Sequence, residues 1–565
     1  MINYKKELAE LLSKQIEMLG MNEIEEMIEI PTDSKMGDYA FPCFKLAKAY
    51  KKAPPLIAKE IAENIHDKVL DKVESVNAYV NFFINKEFFI KDTIQQVYKD
   101  QENFGSTDVG SGKRVIVEFS SVNIAKPFHI GHIRSTLIGN ALNNIYQYVG
   151  YDTVSINHLG DYGTQFGKLI VAFKLWGKAE VIEKDPINEL LKIYVHYHEE
   201  AETQPELDDE ARAWFKKLED GDKEATELWQ WFRDVSLVEF NRVYEMLGIH
   251  FDSYAGESFY SGKMIRVLEE LRNKNLLEKS DGAEIVNLEE YNLTPALITK
   301  KDGSTLYITR DLAAAIYRKE HYDFYKNIYV VGSQQTLHFQ QWIKIIELMG
   351  YDWAKDCVHV PFGMVSLDEG AMSTRKGRVV FLEDVLKRSI EQTRKIIEEK
   401  NVNTELIDEV SRQVGIGAII FQELSNNRIK DYAFSWEKTL SFEGETGPYV
   451  QYTHARACSL LRNGNLESIE NIDYSVLANT LEFELAKLIH QLPQIICDAA
   501  EKYEPSIITR HIIDIAQGFN RFYHENHVLV EDDNIRNARL VLVYAAKQAI
   551  ANGLKLLGVE APERM

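Results

Sequence analysis

Arg114-Val-Ile-Val-Glu-Phe119, followed by Phe128-His-Ile-Gly-His132, reads as a buried strand that turns into a helix. The strand is a nearly unbroken apolar run, the pattern of a strand covered on both faces. An amphipathic helical run begins near Ile133 and continues to Tyr148. A helix start presents unpaired N–H groups and a partial positive charge, so two histidines and a glycine placed there form a seat for a triphosphate. With no side chain at Gly131, an adenine ring can lie on the backbone while His129 and His132 donate hydrogen bonds to phosphate or ribose oxygens. The chain's own His and Gly frequencies give H-x-G-H a chance count of roughly 0.02, which makes the pattern specific. The plain alternative is a helix start with two exposed histidines.

Working outward, strand-like runs at Val115 to Phe119, Thr153 to Asn157, Leu306 to Thr309, Ile328 to Val331 and Val358 to Phe362 alternate with helical segments. That alternation predicts a Rossmann-type, doubly wound parallel sheet over 111–384, with a mostly helical, charged insertion from about 176 to 290. Ligands in such sheets sit outside the carboxyl ends of the strands, where the strand order reverses. Residues 1–110 read as a separate α/β module, with helices at Lys5 to Leu19 and Leu56 to Ile65 and a strand near Ala78 to Ile84, closed by Gly110-Ser-Gly112. A helical connecting region is expected over 385–440 and a helical bundle over 441–565, with amphipathic stretches Leu477 to Ile496 and Ile507 to Tyr523. The fold class is therefore multidomain α/β plus all-α.

A chain of 565 residues is too long for one core. Its four cysteines, Cys43, Cys357, Cys458 and Cys497, form no C-x-x-C pair, so a zinc knuckle or disulfide framework is not supported. No apolar run approaches a membrane span, and the N-terminus has neither a signal core nor the acid-poor composition of a transit peptide, so a cytoplasmic location is expected. A net charge of -22 argues against indiscriminate binding to DNA or other polyanions. Any nucleic acid must meet local patches such as Lys45, Lys48, Lys51 and Lys52, whose spacing places most of them on one side of a helix. A solvated helix face is the alternative.

A second signal is Met372-Ser-Thr-Arg-Lys-Gly377, directly after the last predicted sheet strand. Such a loop could close over a pyrophosphate leaving group and stabilise its growing charge. Together the two segments resemble the paired signatures of class I aminoacyl-tRNA synthetases. The surrounding words narrow the resemblance to the arginyl-tRNA synthetases: Ser121-Val-Asn-Ile-Ala-Lys-Pro-Phe-His129, His158-Leu-Gly-Asp-Tyr-Gly-Thr-Gln-Phe-Gly167, Tyr307-Ile-Thr-Arg-Asp-Leu-Ala-Ala-Ala315 and Gln451-Tyr-Thr-His-Ala-Arg456. The general signature K-M-S-K-S is altered, with Ala371 at its first position and Thr374 in place of its second lysine. The resemblance implies that Lys126, three residues before His129, supplies the missing charge.

The resemblance implies ATP-dependent attachment of L-arginine to tRNA(Arg) by a monomer, with Mg2+ as cofactor. His129, Gly131, His132, Met372 and Ser373 would bind ATP, and Lys126, Ser373, Arg375 and Lys376 would stabilise the reacting phosphates. Asp311 would grip the guanidinium with Tyr307, Glu257 would be a second guanidinium carboxylate, and Glu118, Asn123 and Gln335 would hold the rest of the amino acid. The duller readings are a helix cap for Asp311, a salt-bridged strand residue for Glu118 and a loop residue for Gln335. His158, Asp161 and Gln165 are expected in the same cleft, although Gly160, Gly163 and Gly167 could equally mark a tight turn. The N-terminal module resembles the family's domain against the tRNA elbow, and the tail its anticodon-binding domain. Residues 441–565 carry 11 Lys and Arg against 17 Asp and Glu, so stacking by Tyr449, Tyr452, His454 and Arg456 must outweigh bulk charge there. Met565 resembles chain ends that approach the anticodon. The rivals are a small-molecule nucleotidylyltransferase, an RNA-binding relative without catalysis, and a synthetase for another amino acid.

Overall fold

The computed structural model describes residues 2–124, 126, 128–301, 306–367, 380–399, 406–466, 468–477 and 479–565. The chain divides into two compact units. One comprises residues 1–104, 453–492 and 514–552, the other 105–452, 493–513 and 553–565.

In the first unit, strands β1 (Tyr39–Pro42) and β2 (Leu70–Val76) flank β3 (Tyr79–Ile84) in an antiparallel sheet. Leu8, Leu12, Phe41, Ile57, Ile61, Val80 and Phe82 form its core with the helices Tyr4–Ser13 and Pro54–Asn64. The first helix stops six residues short of the predicted Leu19. The lysine quartet does not share a helix face. A single turn, Ala47–Tyr50, ends where Lys51 takes a left-handed backbone with φ of 50°, and Lys45 and Lys52 pair with Glu23 and Glu60 at 3.8 and 2.6 Å.

The second unit holds four parallel strands, β4 (Arg114–Glu118), β5 (Asp152–Ile156), β9 (Lys326–Gly332) and β10 (Cys357–Phe362), in the order β10-β9-β4-β5. Val117 lies opposite Ser155 on one side and Ile328 on the other. The connection from β4 goes to one neighbour and the later strands add to the other side, so the order reverses at β4, the position beyond whose carboxyl end such sheets take their ligands. Val115, Ile116 and Val117 are fully buried, as expected of a strand covered by helices on both faces. The helix Ile133–Tyr148 is not amphipathic in effect. Thirteen of its residues are buried, because it is enclosed between the sheet and the helix Ile407–Ser425.

Leu306 to Thr309 is not a strand. Leu306 is the extended cap of the helix Tyr307–Tyr322, whose buried Ile308, Leu312, Ala315 and Ile316 follow helical spacing. A four-residue apolar run cannot distinguish the two periods. The insertion ends in a small antiparallel sheet of β6 (Glu278–Ser280), β7 (Ala283–Val286) and β8 (Ala296–Thr299). Its Val286, Ala296 and Ile298 share a core with Ile116, Ile156, Ile308 and Trp342. The tail beyond 385 is also not purely helical, since β12 (Tyr432–Phe434) pairs in parallel with β11 (Val365–Leu367). Its remaining long elements are the helices Leu382–Glu399, Ile407–Ser425, Gly447–Gly464, Thr480–Lys502, Ser506–Glu525 and Asp533–Leu556.

Candidate active site

The carboxyl end of β4 leaves the sheet through two residues with left-handed backbones, Ser120 (φ 66°) and Ser121 (φ 48°), a conformation that non-glycine residues avoid. Ser120 is held there by three hydrogen bonds. Its N–H donates to Ser135 Oγ at 3.0 Å, and its hydroxyl pairs with Thr136 Oγ1 at 2.8 Å and Tyr244 Oη at 2.7 Å. The turn leads to Asn123, which bridges to Gly160 beyond β5. A Cβ at Gly160 would stand 2.4 Å from Asn123 Oδ1 and 3.3 Å from its Cα, so the glycine lets the Asn123 amide lie directly against this strand end.

His129 and His132 form the first turn ahead of the helix Ile133–Tyr148, their rings 4.0 Å apart. The Gly131 N–H donates to His129 Nδ1 at 3.0 Å, and the His129 N–H donates to His132 Nδ1 at 3.3 Å. A backbone amide can only donate, so Nδ1 is the acceptor on both rings and each proton resides on Nε2. Burial, followed by the charge of Lys126, lowers the pKa of His129. Burial, His129 and Lys126 bring that of His132 down to about 3 despite an opposing backbone hydrogen bond. Two neutral imidazoles whose Nε2–H donors take no partner among the described residues, and a lysine close enough to affect both, are suited to phosphate oxygens. Lys126 and Gln165 line one small cavity.

Met372, Ser373, Arg375 and Lys376 lie outside the described residues. On their C-terminal side, the Ile130 N–H donates to the carbonyl of Val380 at 3.2 Å and Leu382 N–H to that of Phe128 at 2.9 Å. The histidine turn is further tied to this region through Arg134. This residue is 1% exposed; its Nε donates to Glu423 at 2.6 Å and its Nη1 to the Lys430 carbonyl at 2.8 Å. The other Glu423 oxygen accepts from Tyr432 Oη at 2.6 Å, on the strand that pairs with β11.

The acidic residues divide into two groups. Glu257, Tyr307 and Asp311 come together with two residues not singled out in the sequence, Arg310 and His338. Arg310 Nη1 donates to Glu257 at 2.7 Å, and His338 Nε2 meets Asp311 Oδ2 at 2.5 Å. Burial pushes the Glu257 carboxyl up to about 7, with Arg310 opposing and Asp311 adding to the rise. Asp311 lies in the second turn of its helix, so it is not a cap. Glu118 belongs elsewhere, in an ion pair of 2.6 Å with the fully buried Arg318. Arg318 Nη2 also approaches His158 Nδ1 at 3.3 Å. Asp161 anchors the Glu257 segment by accepting from the Ser258 N–H and hydroxyl, both at 2.8 Å. Gln335 is exposed at the turn after β9. Arg310, Arg318 and His338 carried no local signal, because each is defined by a partner 27 to 200 residues away.

Of the residues expected to stack anticodon bases, Tyr452 is exposed, Tyr449 and Arg456 are half-buried and His454 is buried. Arg456 Nη1 donates to Asn520 Oδ1 at 2.6 Å. Met565 packs on Ile397, Val410 and Val414. Among the described residues, no three His, Cys, Asp or Glu side chains converge as a metal cage, and no helix is long and apolar enough to cross a membrane.

Three family models match the chain. Residues 93–436 match the catalytic domain of class I tRNA synthetases (R), residues 450–565 the DALR anticodon binding domain and residues 4–84 the arginyl tRNA synthetase N terminal domain. The chain is 63% identical to the arginine–tRNA ligase of Clostridioides difficile (strain 630) and 60% identical to that of Halothermothrix orenii, over the full length of each. The solved Thermus thermophilus arginyl-tRNA synthetase shares the fold, with a TM-score of 0.81 at 24% identity over 99% of this chain and all of that one. The catalytic model alone spans more than half of the sequence, and the curated relatives match it from end to end. The chain therefore belongs to the class I arginyl-tRNA synthetases.

Proposed function

We propose that the chain attaches L-arginine to tRNA(Arg) in an ATP-dependent reaction that passes through arginyl-adenylate and releases AMP and pyrophosphate. The observation that carries this reading is the pairing of a histidine turn carrying two Nε2–H donors with a separate cluster of Glu257, Tyr307 and Asp311. The arginine carboxylate attacks the α-phosphate in line, so no protein nucleophile is required. The helix start, His129, His132 and Lys126 orient the phosphates and neutralise their developing charge. Gly131 leaves room for the adenine, and Met372, Ser373, Arg375 and Lys376 assist at the leaving group.

Asp311 and Tyr307 grip the guanidinium, with Glu257 as a second carboxylate, while Asn123 and Gln335 hold the α-amino end. Glu118 acts through Arg318 rather than on the amino acid. Mg2+ would be carried on the nucleotide's phosphates and would add charge neutralisation there, while His129, His132 and Lys126 hold the remaining oxygens. In the second step, the 2′-hydroxyl of the terminal tRNA adenosine attacks the adenylate. The N-terminal module meets the tRNA elbow, and Tyr449, Tyr452 and the chain end near Met565 meet the anticodon arm. Action as a cytoplasmic monomer completes the reading.

ATP–pyrophosphate exchange across a panel of amino acids, with and without tRNA, tests this function. Exchange is expected with arginine alone and to depend on tRNA. Asp311→Asn should raise the arginine KM by on the order of a hundredfold, the worth of a charge-assisted pair. Robust exchange with lysine or glutamate would overturn the pocket.

A further inference from the structure

Arg310 presents a guanidinium to the very groups expected to receive one. Its Nη1 donates to Glu257 Oε2 at 2.7 Å, and its Cζ lies 5.0 Å from the Tyr307 ring centre and 5.5 Å from that of Tyr162. A carboxylate with tyrosine faces around it is a cage for a planar cation. The Arg310 side chain is 11% exposed and that of Glu257 15%, so the pair is largely withdrawn from water. The fit is incomplete, because Arg310 Nε is buried and finds no hydrogen-bond partner among the described residues.

We infer that Arg310 is a resident stand-in for the substrate's guanidinium, occupying the Glu257 subsite in the arginine-free chain and leaving it when arginine binds. This rests on the assignment of that subsite to the arginine guanidinium. Two features favour such an arrangement. Burial raises the Glu257 carboxyl and the internal cation opposes that rise, so the resident guanidinium preserves part of the subsite's negative charge while it waits. Arg310 also lies on the same helix as Tyr307 and Asp311, three residues after one and adjacent to the other, so it can swing aside without movement of the residues that grip the ligand.

An internal occupant lowers the apparent affinity for every competing cation by the same factor, the inverse of the fraction of molecules in which the subsite is open. It therefore sets the arginine concentration at which the pocket fills and leaves the preference for arginine over lysine unchanged. Arg310 is in this sense a positioning residue whose effect is felt in binding.

Isothermal titration of the full-length chain with L-arginine tests this directly. Arg310→Gln should tighten arginine binding by on the order of tenfold, the worth of one charge-assisted hydrogen bond, with the arginine-to-lysine affinity ratio unchanged. Unchanged or weaker arginine binding by folded Arg310→Gln would overturn the inference, as would tightening for one ligand alone. Should that variant fail to fold, crystals of the natural chain with and without L-arginine decide. Arg310 should pair with Glu257 in the first state and stand beyond salt-bridge distance in the second; a retained pair with arginine bound elsewhere in the pocket would refute the displacement. Loss of arginine binding in Asp311→Asn without any gain in Arg310→Gln would leave the pocket assignment standing and remove only the stand-in.

Discussion

Glu118→Gln should unfold the catalytic unit more readily rather than simply weaken arginine binding. The substitution keeps shape and removes the charge opposite Arg318, whose side chain is 0% exposed at 2.6 Å from a carboxylate that is itself 9% exposed. What remains near the guanidinium is His158 Nδ1 at 3.3 Å and the faces of Tyr329 and Tyr260 at 5.5 and 5.8 Å, none of them a counter-charge. Leaving a buried cation unpaired costs about 3–5 kcal/mol, whereas replacing both partners by apolar groups of similar volume is often neutral. Urea slopes for small domains are about 1–3 kcal/mol per molar and rise with size, so the midpoint should fall by on the order of 1 M. The double variant Glu118→Leu/Arg318→Met should recover most of that loss. Urea titrations of the parent, Glu118→Leu, Arg318→Met and the double variant, followed by fluorescence, give the coupling energy. A Glu118→Gln protein with the parental midpoint and a raised arginine KM would refute the reasoning and return Glu118 to the substrate.

Lys126→Ala should lower the exchange rate by a hundredfold or so through lost charge neutralisation and leave the arginine KM unchanged; a rise in KM instead would move Lys126 to the amino-acid site. Holding His132 neutral makes the fold sensitive to acid. Its pKa is lowered from 6.5 to about 3, so the unfolded chain binds the extra proton between those values, and the associated stability, present in full above about 6.5, drains as pH falls through the window. His132→Gln should flatten the dependence of the urea midpoint on pH from 6.5 to 4, and an unaltered slope would exclude this account. Gly160→Ala should act on activity more than on stability, because the nearest obstacle is the movable Asn123 amide at 2.4 Å. A raised arginine KM with a stability within about 1 kcal/mol of the parent is the expected result.

Much of the catalytic unit could be read from local pattern. β4 and β9 are apolar runs long enough to declare themselves, β5 and β10 show as short β-branched and alternating stretches beside them, and the helix from Ile133 begins at the residue its periodicity indicates. The misses share a cause. Leu306 to Thr309 was too short to separate a strand from the first turn of a helix, and β11 and β12, three residues each, exist only by pairing across 67 positions. In the candidate site, types and motifs single out His129, His132, Asp311 and Tyr307, but which carboxylate is open to a ligand depends on which already has a partner. Glu118 and Asp311 look alike in sequence, yet one meets an arginine 200 residues away and the other a histidine 27 residues away.

The ion pair between Arg134 and Glu423 has a consequence for synthesis. The two residues are 289 positions apart, so a ribosome elongating at roughly 5–20 residues per second needs about 15–60 s after making the first to deliver the second. Over that interval, the cation behind the histidine turn has no counter-ion to retire with and must stay hydrated. The histidine turn is thus encoded early and completed late, only after most of the polypeptide has emerged.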